Sequence, residues 1–134
     1  MIFAVIDTNV IVSALITHNS GAATVHVVES IYLEKLTPLY NSDILNEYKE
    51  VLSRPKFKLP AETIESLLET IKQNGIDSSS KSFDGDMPDE EDRIFYEVTL
   101  GREDAFLVTG NLKHFPKTPR VVTAAQMLEI IDHE

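Results

Sequence analysis

Two uninterrupted apolar runs stand out in the hydropathy pattern. Ile2-Phe3-Ala4-Val5-Ile6 ends at a carboxylate, Asp7, and Ala105-Phe106-Leu107-Val108-Thr109 is closed by Gly110-Asn111. Runs of this length without polar alternation predict strands buried on both faces of a parallel sheet. Pro38-Leu39-Tyr40 and Val121-Val122 read as shorter strands, the second of them edge-like. Between these segments a 3.6-residue period predicts helices. Val10, Ile11, Val12, Ala14 and Leu15 follow a cap at Thr8 or Asn9, and Val25, Val28, Ile31 and Tyr32 mark a second helix after Gly21. Ser42 caps a third, carrying Ile44, Leu45, Tyr48, Val51 and Leu52 on one face. Arg54-Pro55 ends it, since proline has no amide donor and turns its predecessor away from helical geometry. Ile64, Leu67, Leu68 and Ile71 are in phase on a helix from Pro60 to Gly75. Residues 89–100 form another, with Ile94, Phe95 and Val98 inward and Gly101 at its end. Thr123-Ala124-Ala125-Gln126 is a capping box that opens a last helix through Met127, Leu128, Ile130 and Ile131. The polar stretch 77–88 suggests only a weak strand near residues 81–83. Strands alternating with helices predict an α/β fold with both faces of the sheet covered.

The chain has 134 residues, enough for a real core, and shows no repeat or linker, so residues 1–134 are expected to form a single domain. No apolar run approaches the ~20 residues of a membrane span, and the first residues lack the basic region of a signal peptide, so a cytoplasmic protein is expected. The absence of cysteine removes disulfides and thiolate zinc sites, which leaves oxygen or imidazole ligands for any metal. The net charge of −10 runs against the basic footprint usual in nucleic-acid binders. Basic residues are nevertheless grouped at Arg54, Lys56 and Lys58 and again at Lys113, His114, Lys117 and Arg120. Such groups either guide a phosphate chain or are solvated surface.

In an open α/β sheet, ligands bind beyond the carboxyl ends of the strands, near a switch in strand order. Asp7 and the Thr109-Gly110-Asn111 segment occupy such ends. The bland alternatives are an aspartate that serves helix amides and a simple turn. Glu47 flanks the apolar stripe of its helix, where a carboxylate either reaches a cleft rim or lies on the surface. Asp89-Glu90-Glu91-Asp92 suits a helix N-terminus, yet four successive acids exceed what capping requires and repel one another without a cation. Clustered carboxylates bind Mg²⁺ or Mn²⁺. His18, His26, His114 and His133 show no ligand spacing and suggest no zinc site.

Four segments in order resemble the PIN domain family: Val5-Ile6-Asp7-Thr8-Asn9-Val10, then Ser42-Asp43-Ile44-Leu45-Asn46-Glu47-Tyr48, then Pro88 to Glu97, then Leu107 to Phe115. The likeness spans essentially the whole chain. It is greatest to the branch of toxin components of toxin–antitoxin systems, the relatives of VapC-type toxins. The resemblance implies a three-layer α/β/α sandwich with a central parallel sheet, and a Mg²⁺- or Mn²⁺-dependent endoribonuclease. It places the family's first three acids on Asp7, Glu47 and Asp92, as metal ligands and catalytic residues. The fourth acid falls on Asn111, which brings a carbonyl but no charge. Thr8, Asn9 and Thr109 stand where the family has hydrogen-bonding residues, and Asp89 and Glu91 are supporting acids. An antitoxin with Arg or Lys reaching the carboxylates, and a homodimer, are the partners that the resemblance implies besides RNA. Two rival readings remain: a weakened PIN scaffold that binds RNA or protein, and phosphoryl transfer through an aspartyl phosphate at Asp7. The second lacks the extra aspartate it needs, because Thr8 and Asn9 follow Asp7.

Overall fold

The computed structural model describes all 134 residues. Strands β1 (Phe3–Ile6), β2 (Thr37–Tyr40), β3 (Ile76–Asp77), β4 (Ala105–Val108) and β5 (Val121–Val122) form one sheet in the order β3-β2-β1-β4-β5, every pair parallel. The chain builds outward from β1 through β2 to β3, then returns to place β4 on the other side of β1. The switch in strand order therefore falls between β1 and β4, and β5 is an edge as its pattern predicts.

Six helices flank this sheet: α1 (Thr8–Ile16), α2 (Ala23–Tyr32), α3 (Ser42–Leu52), α4 (Ala61–Asn74), α5 (Arg93–Leu100) and α6 (Ala124–Asp132). Helix α2 packs against α1 and α6, while α5 lies across β1, β2 and β4. All four residues of β1 are buried, so both of its faces are covered, as its unbroken apolar run requires. Their neighbours in the core include Ile11, Ile31, Ile44, Tyr48, Phe95 and Leu107. No helix is long and apolar enough to cross a membrane.

Several boundaries differ from the sequence expectation. Asp7, rather than Thr8 or Asn9, is the residue before α1, and its side chain closes no capping hydrogen bond. Asn41, not Ser42, caps α3, because its side-chain oxygen accepts from the amide of Ile44 at 2.9 Å. The expected strand near 81–83 is absent. That segment is fastened to α5 instead, with the amides of Lys81 and Phe83 donating to the Glu97 carbonyl and carboxylate at 2.9 Å each. Strand β3 comes instead from Ile76–Asp77, where Gly75 is needed for close approach: a Cβ there would lie 2.3 Å from the Pro38 carbonyl oxygen. The helix expected over residues 89–100 is divided into a 3-10 turn, Glu90–Asp92, followed by α5. Asp89 tightens that turn by accepting from the Glu91 amide at 3.0 Å.

A carboxylate centre at the strand switch

The register of the two central strands builds the site. Ile6 lies opposite Val108, so the next residues, Asp7 and Thr109, emerge side by side at the carboxyl end of the sheet. Both are buried, and the Thr109 hydroxyl donates to Asp7 Oδ2 at 2.8 Å. Burial raises the Asp7 carboxyl above its ordinary range, although the Thr109 hydrogen bond, the amides of Asn9 and Thr8 and the charge of His114 oppose the rise. The Thr8 hydroxyl is buried without a partner, while Asn9 is exposed.

Helix α3 brings in the second acid. Tyr48, wholly buried, donates its hydroxyl to the Ile6 carbonyl, one residue before Asp7. This bond ties α3 to the end of β1 and fixes which turn of the helix faces the strand. Burial pushes the Tyr48 hydroxyl well above its ordinary pKa. The adjacent Glu47 is half-buried. Its carboxyl is raised by burial, then by Glu50, with Glu91 and Asp7 adding smaller contributions in the same direction and Arg54 opposing them.

The third acid comes from the turn before α5. Asp92 is pushed up to about 6, first by burial, then by the charges of Asp7 and Asp89. Its Oδ2 atom is buried. His114 Nδ1 is 3.2 Å from that oxygen and 3.9 Å from Asp89 Oδ2, and its charge and hydrogen bonding to Asp92 oppose the rise. Ligand atoms of Asp89, Asp92 and His114 all fall within 4.8 Å of one another, a spacing that can hold a metal ion.

The charge of Asp7 thus reaches both Glu47 and Asp92, and Thr109 braces Asp7, while the group with metal-ligand spacing includes neither Asp7 nor Glu47. Glu91 is exposed and reaches the group only through its field at Glu47. The amide of Asn111 donates to the Thr109 hydroxyl at 3.1 Å, the same hydroxyl that donates to Asp7. The Asn111 side-chain oxygen accepts from the Lys113 amide at 3.1 Å and so caps a 3-10 turn, Leu112–His114. The histidine reading needs correction, because sequence spacing set His114 apart from any ligand group and the fold carries it to Asp92. The only signal for it was its place just after a strand end. The second basic group is also smaller than it looks. Arg120 donates to the carbonyls of Ala105 (2.9 Å), Thr99 and Arg102, so it secures β4 to the end of α5.

A centre of this kind, acids gathered at the end of a parallel sheet with an imidazole beside them, suits a divalent cation and a phosphate substrate. No curated protein and no solved structure matches the chain. The family profile described as PIN domain matches residues 4–113, from β1 to the residue before His114, and the chain belongs to the PIN domain family.

Proposed function

We propose that this protein is a metal-dependent endoribonuclease that hydrolyses RNA phosphodiester bonds, with Asp7, Glu47 and Asp92 as metal ligands. PIN domains are generally nucleases and usually use divalent metals, which supports the broad class. The observation that carries the reading is the group of raised carboxyls at one strand end, in which the buried Asp92 Oδ2 lies 3.2 Å from the His114 imidazole. Carboxyls raised by burial and by one another's charge are costly to ionise, and a cation offsets that cost. The donor set also fits. Hard carboxylate oxygens suit Mg²⁺ and Mn²⁺, and the adjoining imidazole suits Mn²⁺ better than Mg²⁺.

When bound, such a cation lowers the pKa of a water nucleophile and offsets the charge gathering on the phosphate. The protein's part is to hold the ligands in place. Thr109 occupies one oxygen of Asp7 and leaves the other to turn toward a cation. Tyr48 fixes α3 so that Glu47 stays beside the end of β1. His114 lies against Asp92 and Asp89 together and offsets the repulsion between their carboxylates when protonated.

RNA as the substrate, a toxin role with a neutralising antitoxin, and a homodimer rest on the family resemblance. The acidic centre gives the antitoxin idea a physical form, since an Arg or Lys side chain would compete for the same carboxylates. A second reading, a weakened scaffold that binds without cutting, has one observation in its favour: position 111 carries an uncharged asparagine whose side-chain oxygen caps a turn. The test is cleavage of a labelled single-stranded RNA with Mn²⁺, Mg²⁺ or excess EDTA. Metal-dependent cleavage that falls at least about a hundredfold in Asp7→Asn is expected, the loss of a few kcal/mol of charge stabilisation. Equal cleavage in EDTA would defeat the metal mechanism, and none under any condition would favour the scaffold.

A further inference from the structure

The turn that presents His114 to the carboxylates has a second face. Leu112, Lys113, Phe115, Pro116, Lys117 and Val121 line a mostly apolar groove of about 280 Å³ beside it. The groove adjoins the carboxylate centre along the chain, because Leu112 and Lys113 of the groove and His114 of the centre belong to the same three-residue turn. Leu112 is 43% exposed, the one large apolar side chain left open near this end of the sheet. Lys113 and Lys117 are exposed, and neither is engaged in an ion pair.

The geometry points to a nucleotide subsite here: the groove takes one unstacked base of a single-stranded RNA, and the two lysines take phosphates next to it. This inference rests on the nuclease reading and assigns the path of the strand through that site. The charges argue for it. On a chain of net charge −10, a strand running over the acids alone is repelled, and a cationic lip adjoining the centre gives its backbone a hold. The size and lining argue for it too. A groove at the small end of ligand pockets suits a single planar base, whereas a protein helix needs a longer apolar track. Single-stranded RNA is bound in this way, by bases set against apolar or aromatic surface and phosphates against cations.

The test uses Asp92→Asn as the parent, so that the strand survives binding, and reads fluorescence anisotropy of a labelled 12-nucleotide RNA over a range of salt. Adding Lys113→Ala and Lys117→Ala is expected to flatten the salt dependence by about 1.4 log units per log unit of salt, two single-strand phosphate contacts, and to weaken binding about tenfold at low salt. Leu112→Ser is expected to weaken binding at least about threefold with the slope unchanged, as loss of an apolar base contact does. Lys35→Ala, a charge removed at the start of β2 and so at the opposite end of the sheet, is the control expected to change neither. Unchanged affinity and slope in the groove variants would overturn the subsite and leave the groove to a protein partner. An equal effect of Lys35→Ala would overturn it as well. These readings are of binding, so they stand apart from failure of the wild-type protein to cleave, which would bear on the nuclease reading instead.

Discussion

From its ordinary value of 3.8 up to about 6, the Asp92 carboxyl holds a proton in the folded chain that the unfolded chain has released. The folded state binds more protons across that window, so stability falls as pH rises through it and the deficit is fully present above about 6. Asp7 and Glu47 are raised in the same direction and add to the slope. Removing the titrating group should therefore flatten the curve. In EDTA, melting temperatures of the wild-type protein should drop between pH 4.5 and 7 more than those of Asp92→Asn, and Asp92→Asn should be the more stable at pH 7. Parallel curves would mean that Asp92 carries no such strain. His114 shows why part of this centre was illegible in the sequence. Its approach to Asp92 depends on how the 3-10 turn after β4 folds, and linear spacing holds no trace of that. Asn111 was placed correctly at a strand end, but its side chain had a nearer partner in the amide of Lys113.

Elements position these side chains through a few contacts. The Tyr48 hydroxyl joins α3 to the Ile6 carbonyl, and that bond sets the distance between Glu47 and Asp7. Tyr48→Phe keeps the ring against Phe95, 6.2 Å between centroids, and removes only the hydroxyl. Urea unfolding should show a loss of about 1–2 kcal/mol, the cost of a buried hydrogen bond. Cleavage should fall as well, while an unaltered rate would show that α3 holds its place by packing alone. Strands β1 and β4 were legible because burial on both faces forces continuous apolar runs. β3 was not, since both of its residues are exposed and two positions carry no period. The expected strand at 81–83 was misleading for a related reason. Phe83 packs edge-on against Tyr96, 5.0 Å between centroids, so its apolar character serves a loop clasped to α5 rather than a ladder.

Across the whole molecule, the topology turns separate sequence segments into one centre. The order β3-β2-β1-β4-β5 brings residues 7 and 109 into hydrogen-bond contact, and α3 and the turn before α5 add their acids at the same end. The family match over residues 4–113 bears out the family that the four ordered motifs resemble. Gathered carboxylates repel until a cation joins them, so metal should stabilise the fold measurably. A hundredfold excess of Mn²⁺ over its dissociation constant should add about 2.7 kcal/mol to the unfolding free energy, read as a raised melting temperature. The rise should largely vanish in Asp7→Asn. An equal rise in that variant would mean that the ion binds elsewhere. The most direct test of the account is anomalous diffraction from crystals soaked in Mn²⁺. The expected result is a peak about 2.0–2.3 Å from carboxylate oxygens of Asp7, Glu47 and Asp92. No peak, or one confined to Asp89 and His114 away from Asp7, would contradict it.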